Sequence, residues 1–180
     1  TKQTLVADEV IFINSNSTDN TSEIIKNFII NNNITNWYLH DTDLETPSEA
    51  KNYGIQISRH NWCAFMDFDL IFSKKWLELQ VSKISENKNV LISYGTLDLK
   101  PKNYFDRVII AQTYGLNSSK PAIPSSFINK IYFEEYGYFL PYRSFYDKAF
   151  INKSLNKVSD KIIINSEIKI HYKDINYAKN

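Results

Sequence analysis

Two aspartates separated by one residue close an apolar run, Trp62-Cys63-Ala64-Phe65-Met66-Asp67-Phe68-Asp69. The run reads as a buried strand. The place where such a strand leaves an α/β sheet is where these folds hold ligands. Alternate residues of an extended segment point the same way, so the carboxylates of Asp67 and Asp69 can act together. Two hard oxygen donors suit a divalent cation, Mn²⁺ or Mg²⁺, that also carries a phosphate ligand. Such a cation neutralises a diphosphate leaving group. Taken alone, the pair could equally be a turn whose acids face water. A rival pair, Asp41 and Asp43, follows a shorter and less apolar strand. Asp67 and Asp69 are the preferred pair.

These acids need a scaffold, and the 180 residues are enough for one domain with a sizeable core. The hydrophobic fraction of 43% and charged fraction of 23% fit a soluble globular chain. A net charge of +1 gives no pull toward nucleic acid, and no nucleic-acid partner is expected. Gly is scarce, at 4 residues, and neither G-x-G-x-x-G nor a Walker-type loop is present. The single cysteine, Cys63, lies in the apolar run and reads as a buried structural thiol. It can form no internal disulfide, which suits a reducing cytosol. No signal-peptide pattern and no apolar run of membrane-spanning length is read. The expected location is cytoplasmic, with peripheral attachment at the inner membrane left open.

Strand and helix alternate along the first half. Glu9 to Ile13 is β-branched and apolar and predicts a buried strand. The polar loop Asn14 to Asp19 follows. A helix is predicted from about Thr21 to Asn32, with Ile24, Ile25, Phe28 and Ile29 at helical spacing. Trp37 to His40 is the next strand. Thr46-Pro47-Ser48-Glu49 is a capping box with Pro at the first helical position. After the Asp67 strand, Ser73 is expected to cap a helix reaching Glu86, with Trp76, Leu79 and Ile84 facing inward. Val90 to Tyr94 is a further strand. The β-α-β-α-β-α-β order predicts a mostly parallel sheet covered by helices. The second half is less regular. Phe127 to Phe133 looks extended, Tyr146 to Lys157 helical, and Lys161 to Ile164 and Glu167 to Tyr172 are predicted as a pair of strands.

Several segments together resemble a known family. Asp8 to Thr21 is similar to the "DEIIVVDNGSTDGT" segment of family-2-type, inverting, nucleotide-sugar-dependent glycosyltransferases with the GT-A fold. Glu49-Ala50-Lys51-Asn52-Tyr53-Gly54-Ile55 resembles their "A-R-N-x-G" helix, and Phe65 to Asp69 their "FLDADD" metal motif. Glu135 to Phe139 is similar to a "GGF" acceptor-side segment. Tyr146-Asp147 stands where a Glu-Asp pair starts a helix, and His171 matches a late strand His.

The resemblance implies a Rossmann-like, three-layer α/β/α domain with a mostly parallel mixed sheet. Residues 1–94 would be its nucleotide-sugar-binding half and residues 95–180 its acceptor-side half. It implies metal-assisted transfer of a sugar, with inversion, from a nucleotide-diphosphate sugar, a UDP-sugar first among them, to a glycan or other hydroxyl acceptor in surface polysaccharide synthesis of a bacterial type. Asn14, Ser15, Asn16, Asn52 and Asp67 would border the donor. Asp67, Asp69 and His171 would hold Mn²⁺ or Mg²⁺, and Asp147 would be the base. The chain departs from the pattern in three places. Asn14 and Ser15 stand where an acid is frequent, and Tyr146 replaces the Glu. The family's opening strand and helix have no counterpart before Asp8, so a partner chain or a missing N-terminal segment is expected to complete the sheet. The alternative is a truncated or non-catalytic nucleotide- or glycan-binding module. A phosphotransfer enzyme is disfavoured, because Asp67-Phe68-Asp69-Leu70-Ile71 lacks the Thr or Val that such a nucleophilic Asp pattern requires.

Overall fold

The computed structural model describes residues 3–68, 70–97, 103–105, 107–108 and 121–172. In chain order the elements are β1 (Val10–Ser15), α1 (Thr21–Asn31), β2 (Trp37–Thr42), α2 (Pro47–Ile57), β3 (Trp62–Ala64), β4 (Leu70–Ile71), α3 (Trp76–Ser85), β5 (Ile92–Leu97), β6 (Pro121–Asn129), α4 (Lys130–Tyr136), α5 (Tyr146–Val158) and β7 (Ile162–Tyr172). They form two compact units. One holds Val6–Cys63 and Asn129–Asn156; the other holds Thr1–Leu5, Ala64–Ile128 and Lys157–Asn180.

In the first unit β1 and β2 pair in parallel, with Val10 opposite Trp37 and Ser15 opposite Thr42. Alternation sends Phe12 and Trp37 to the α1 face, where Phe28 stacks on Trp37 at 5.8 Å. Ile13 faces α2, where a Cβ on Gly54 would touch its side chain at 3.7 Å. The predicted capping box is present: Thr46 Oγ1 accepts from Glu49 N, and the Glu49 carboxylate accepts from Thr46 N. Among the described residues β1 is paired only by β2. This explains why a strand expected to be buried is half-buried along its length. It also accompanies a helix α1 with no buried residue, on which Ile24, expected to face inward, is 66% exposed. The unit's apolar centre lies further along the chain. Tyr132, Phe133, Phe139 and Phe150 are all buried, and the Phe139 and Phe150 rings lie 4.3 Å apart. Burial pushes the Tyr132 phenol up to about 12.

The second unit is a mixed sheet in the order β3-β6-β5-β7-β4, which β3 enters through its last residue, Ala64. Strands β5 and β7 are parallel, while β5–β6 and β4–β7 are antiparallel. Helix α3 packs on β5 and β7. Its fully buried Trp76 donates Nε1–H to Ser125 Oγ at 2.9 Å. Gln80 donates to Ser125 O at 2.9 Å and accepts from Ser93 Oγ at 2.6 Å, so this buried polar chain is satisfied. Gly95 is required here by close approach. A Cβ would collide with the Ser125 side chain and reach Ile168 Cγ2 at 2.8 Å. Gly95→Ala is therefore expected to cost about 1–3 kcal/mol of stability, read as a lowered midpoint in urea unfolding.

Three local expectations are corrected. Residues 130–136 are helical rather than extended, because Asn129 Oδ1 caps Ile131 N at 3.0 Å and the turn buries Tyr132 and Phe133. Ser73 is not a side-chain cap: α3 starts at Trp76, whose N–H donates to the Ser73 carbonyl. The last two strands are one, β7, whose register with β5 shifts between Gly95 and Thr96 so that Asn165 and Lys169 become successive partners. The expected α/β fold with a mixed sheet is present, and the described strands fall into one parallel pair and one mixed sheet.

Candidate active site

At the C-terminal end of β1 the chain turns at Asn16, whose φ of 55° lies in the left-handed region. The family segment has Gly at this place, and Asn is among the residues that tolerate the conformation best. Ser15 Oγ is buried and has no hydrogen-bond partner among the described residues. Asp19 accepts from Thr21 N and Thr21 Oγ1, fixing the loop where it enters α1. Asn14 has a structural engagement: its amide donates to Ser22 Oγ at 2.8 Å and to Asp41 Oδ1 at 2.9 Å. Asp41 also accepts from the Ser22 hydroxyl and from Lys26 Nζ at 2.8 Å. The Asn14 hydrogen bond, then those of Lys26 and Ser22, hold the Asp41 carboxyl well below the usual range. The rival acid is thus a tie between β2, β1 and α1.

Asn52 lies on α2 and clamps the backbone of Phe139. Its Nδ2 donates to Phe139 O at 2.8 Å, and its Oδ1 accepts from Phe139 N at 3.0 Å. Ser48, fully buried, donates to Tyr142 O at 3.1 Å. Sequence reasoning missed both partners, and no local signal marks them, since they lie 87 and 94 residues away along the chain. Lys51 Nζ sits 5.5 Å from the centre of the Tyr146 ring. The residue in the Glu place of the family is therefore an aromatic partner for a cation. Asp147 follows in the first turn of α5 and is half-buried. The helix dipole there favours the carboxylate as an anion. Asn52→Ala is expected to cost about 1–3 kcal/mol of stability by leaving the Phe139 amide groups without these partners, with a lowered thermal midpoint as the check.

In the second unit Asp67 is half-buried, and its carbonyl accepts from Leu70 N at 3.4 Å. Phe65 beside it is buried, while Phe68 is 70% exposed. Asp69 falls outside the described residues. Strand β4 begins directly afterwards, and its Ile71 is in register with His171 on β7. Position 67 lies in the loop that leads into β4, and β4 pairs with the strand that carries position 171. A carboxylate oxygen and an imidazole nitrogen are a donor combination suited to Mn²⁺. Among the described residues no cluster of three or more His, Cys, Asp or Glu is assembled.

A cleft of about 220 Å³ in the first unit is lined by Glu9, Ile11, Tyr38, His40, Ile57 and Arg59. It lies toward the start of β1, away from the Asn14–Asn16 turn. Its charges are paired, with Arg59 Nε 2.7 Å from Glu9 Oε1 and the guanidinium 4.8 Å over the Tyr38 ring. Burial raises the Glu9 carboxyl, but the Arg59 hydrogen bonds outweigh it and leave the group lowered.

Solved structures share this architecture. Staphylococcus aureus TarS 1-349 in complex with UDP-GlcNAc superposes with a TM-score of 0.70 at 18% identity, over 99% of this chain and 54% of that one. The mannosyltransferase PcManGT of Pyrobaculum calidifontis, in complex with GDP-Man and Mn²⁺, gives 0.72 at 14% identity, over 98% and 51%. The fold is the GT-A α/β fold. The chain belongs to glycosyl transferase family 2, whose family model matches residues 1–158. A curated relative, an uncharacterized glycosyltransferase of Rickettsia bellii, is 38% identical over 96 residues, which are 52% of this chain and 14% of that protein. The chain thus spans a minor part of that relative's length.

Proposed function

We propose that this chain transfers a sugar from a nucleotide-diphosphate sugar to a hydroxyl of a glycan acceptor, with inversion, as part of surface polysaccharide synthesis. The observation that carries the reading is the family match over residues 1–158, together with the acid at Asp67 that closes the apolar run in the sequence. The solved neighbours support the donor class, one having been captured with UDP-GlcNAc and the other with GDP-Man. The Asn14–Asn16 turn borders the nucleoside, with the buried Ser15 hydroxyl and the Asn16 backbone nearest to it. Asn52 positions the acceptor segment through Phe139. Asp147 takes the proton of the acceptor hydroxyl. The acceptor oxygen bonds to the anomeric carbon as the bond to the diphosphate breaks, and the nucleoside diphosphate leaves with both electrons of that bond. Asp67, Asp69 and His171 would hold Mn²⁺ or Mg²⁺, which supplies charge neutralisation at the diphosphate.

The edge of β1 that no described strand pairs belongs to the same proposal. A strand from a longer form of the polypeptide or from a partner chain would pair with it, satisfying its backbone groups and covering half-buried apolar residues. The lack of a described strand on that side of β1 also favours a second reading, a nucleotide-binding module without turnover. Among the described residues no helix is long and apolar enough to cross a membrane. Cytoplasmic placement, with attachment at the inner membrane surface, is part of the proposal.

One assay separates the readings. UDP-GlcNAc, UDP-glucose, UDP-galactose and GDP-mannose are incubated with the chain and Mn²⁺, and nucleoside diphosphate release is measured. Turnover of at least one donor supports the enzyme. Tight nucleotide binding with no release from any of them supports the module.

A further inference from the structure

The segment between α4 and α5 combines a fixed backbone with projecting rings. Phe139 is clamped through both amide groups by Asn52, and its ring is buried against Phe150. Tyr142 is held by Ser48 through its carbonyl, and its N–H donates to Leu140 O at 2.7 Å. With the backbone tied at these points, the side chains of Tyr142 and Phe145 are still 51% and 75% exposed. Phe145 also has φ of 63°, a left-handed conformation that a bulky aromatic residue rarely adopts. Nothing in the local chemistry asks for an aromatic there, since Gly or Asn would fit the backbone better. A strained residue that holds a large ring in solvent is a mark of function rather than of folding. The ring stands two residues before Asp147, and Ala149 N–H closes the first turn of α5 on the Phe145 carbonyl at 3.0 Å.

We infer that Tyr142 and Phe145 form a stacking platform for the acceptor, gripping the C–H face of a pyranose ring beside Asp147. The inference rests on the glycosyltransferase reading and names the two residues that would hold its saccharide acceptor. Aromatic rings supply broad, rigid contact with little loss of side-chain freedom, and a sugar presents an apolar face of matching size. Fixing the backbone through Asn52 and Ser48 means that little further ordering is needed when a sugar binds. Of the four aromatic residues in the segment, Phe139 is buried and Tyr138 stacks on Phe133 at 5.7 Å, which leaves Tyr142 and Phe145 for the ligand.

The test is saturation-transfer NMR on the whole chain with methyl glycosides of β-glucose, β-galactose and N-acetyl-β-glucosamine as probes. At least one glycoside is expected to receive saturation through its axial ring protons. Phe145→Gly is expected to weaken that binding by about tenfold, as the loss of one stacking contact would, while Phe145→Trp retains it. The thermal midpoint of Phe145→Gly should not fall, because the ring contributes strain and no packing. No signal from any of the three glycosides, or a signal that Phe145→Gly leaves unchanged, overturns the platform. So does a lowered midpoint in Phe145→Gly, which would make the ring structural. Sedimentation with phosphatidylglycerol–phosphatidylethanolamine vesicles that Phe145→Gly abolishes, with glycoside signals intact, would assign the patch to a membrane instead. UDP binding with Mn²⁺ is measured on the same sample. Retained UDP binding without glycoside binding rejects the platform alone, and loss of both rejects the underlying glycosyltransferase reading.

Discussion

Asp147→Asn should lower turnover by about 10²–10⁴-fold, the range that a positioned general base supplies. The substitution keeps the size of the side chain and removes its capacity to take a proton. Nucleotide affinity should barely move, because in the proposed mechanism the group would face the acceptor and not the diphosphate. Asp147 lies in the first turn of α5, where a carboxylate also serves the helix dipole. That second duty is worth little at a helix end. A thermal midpoint close to the parent's, combined with lost turnover, would separate the catalytic role from the structural one. Retained turnover would leave Asp147 as a helix-start acid.

Asp67→Ala should abolish the gain in nucleoside diphosphate affinity that Mn²⁺ confers. Calorimetry with UDP and GDP, each with and without Mn²⁺, reads this directly. The loss should be large, since removing a ligand carboxylate from a small set takes away both charge and a coordination position. Asp41→Ala is the control, and its expected result is opposite. Asp41 is occupied by Asn14, Ser22 and Lys26, so its removal should lower stability and leave the Mn²⁺ effect intact. A Mn²⁺ effect that survives Asp67→Ala and disappears in Asp41→Ala would move the site to the other acidic pair.

The elements that carry local signals were legible in the sequence. The capping box at Thr46 to Glu49 is there to the atom, because its partners lie three residues apart. The parallel β1–β2 pair follows from two β-branched or aromatic runs joined by a helix. Family membership came from the order of short motifs and not from any one of them. Long-range pairings were not legible. Asn52 is expected from the sequence to border the donor, and its hydrogen bond to Phe139, 87 residues on, has no local signal. The hydrogen bonds by which Asn14, expected to border the donor, joins β1 to α1 and β2 likewise have no local signal. The helix at 130–136 was missed because Ile131, Tyr132 and Phe133 favour a strand by type, while tertiary burial of two of them selects the helix. The exposure of α1, beside a strand that only β2 pairs among the described residues, is not encoded in local periodicity.

The most direct test of the account is the configuration of the sugar that leaves the donor. NMR can follow the first anomeric proton signal released from an α-linked donor such as UDP-GlcNAc, before mutarotation mixes the forms. A single displacement assisted by Asp147 predicts a β-configured product that depends on the Asp147 carboxylate. An α-configured product, or no release from any of the four donors while nucleotide still binds, would contradict it.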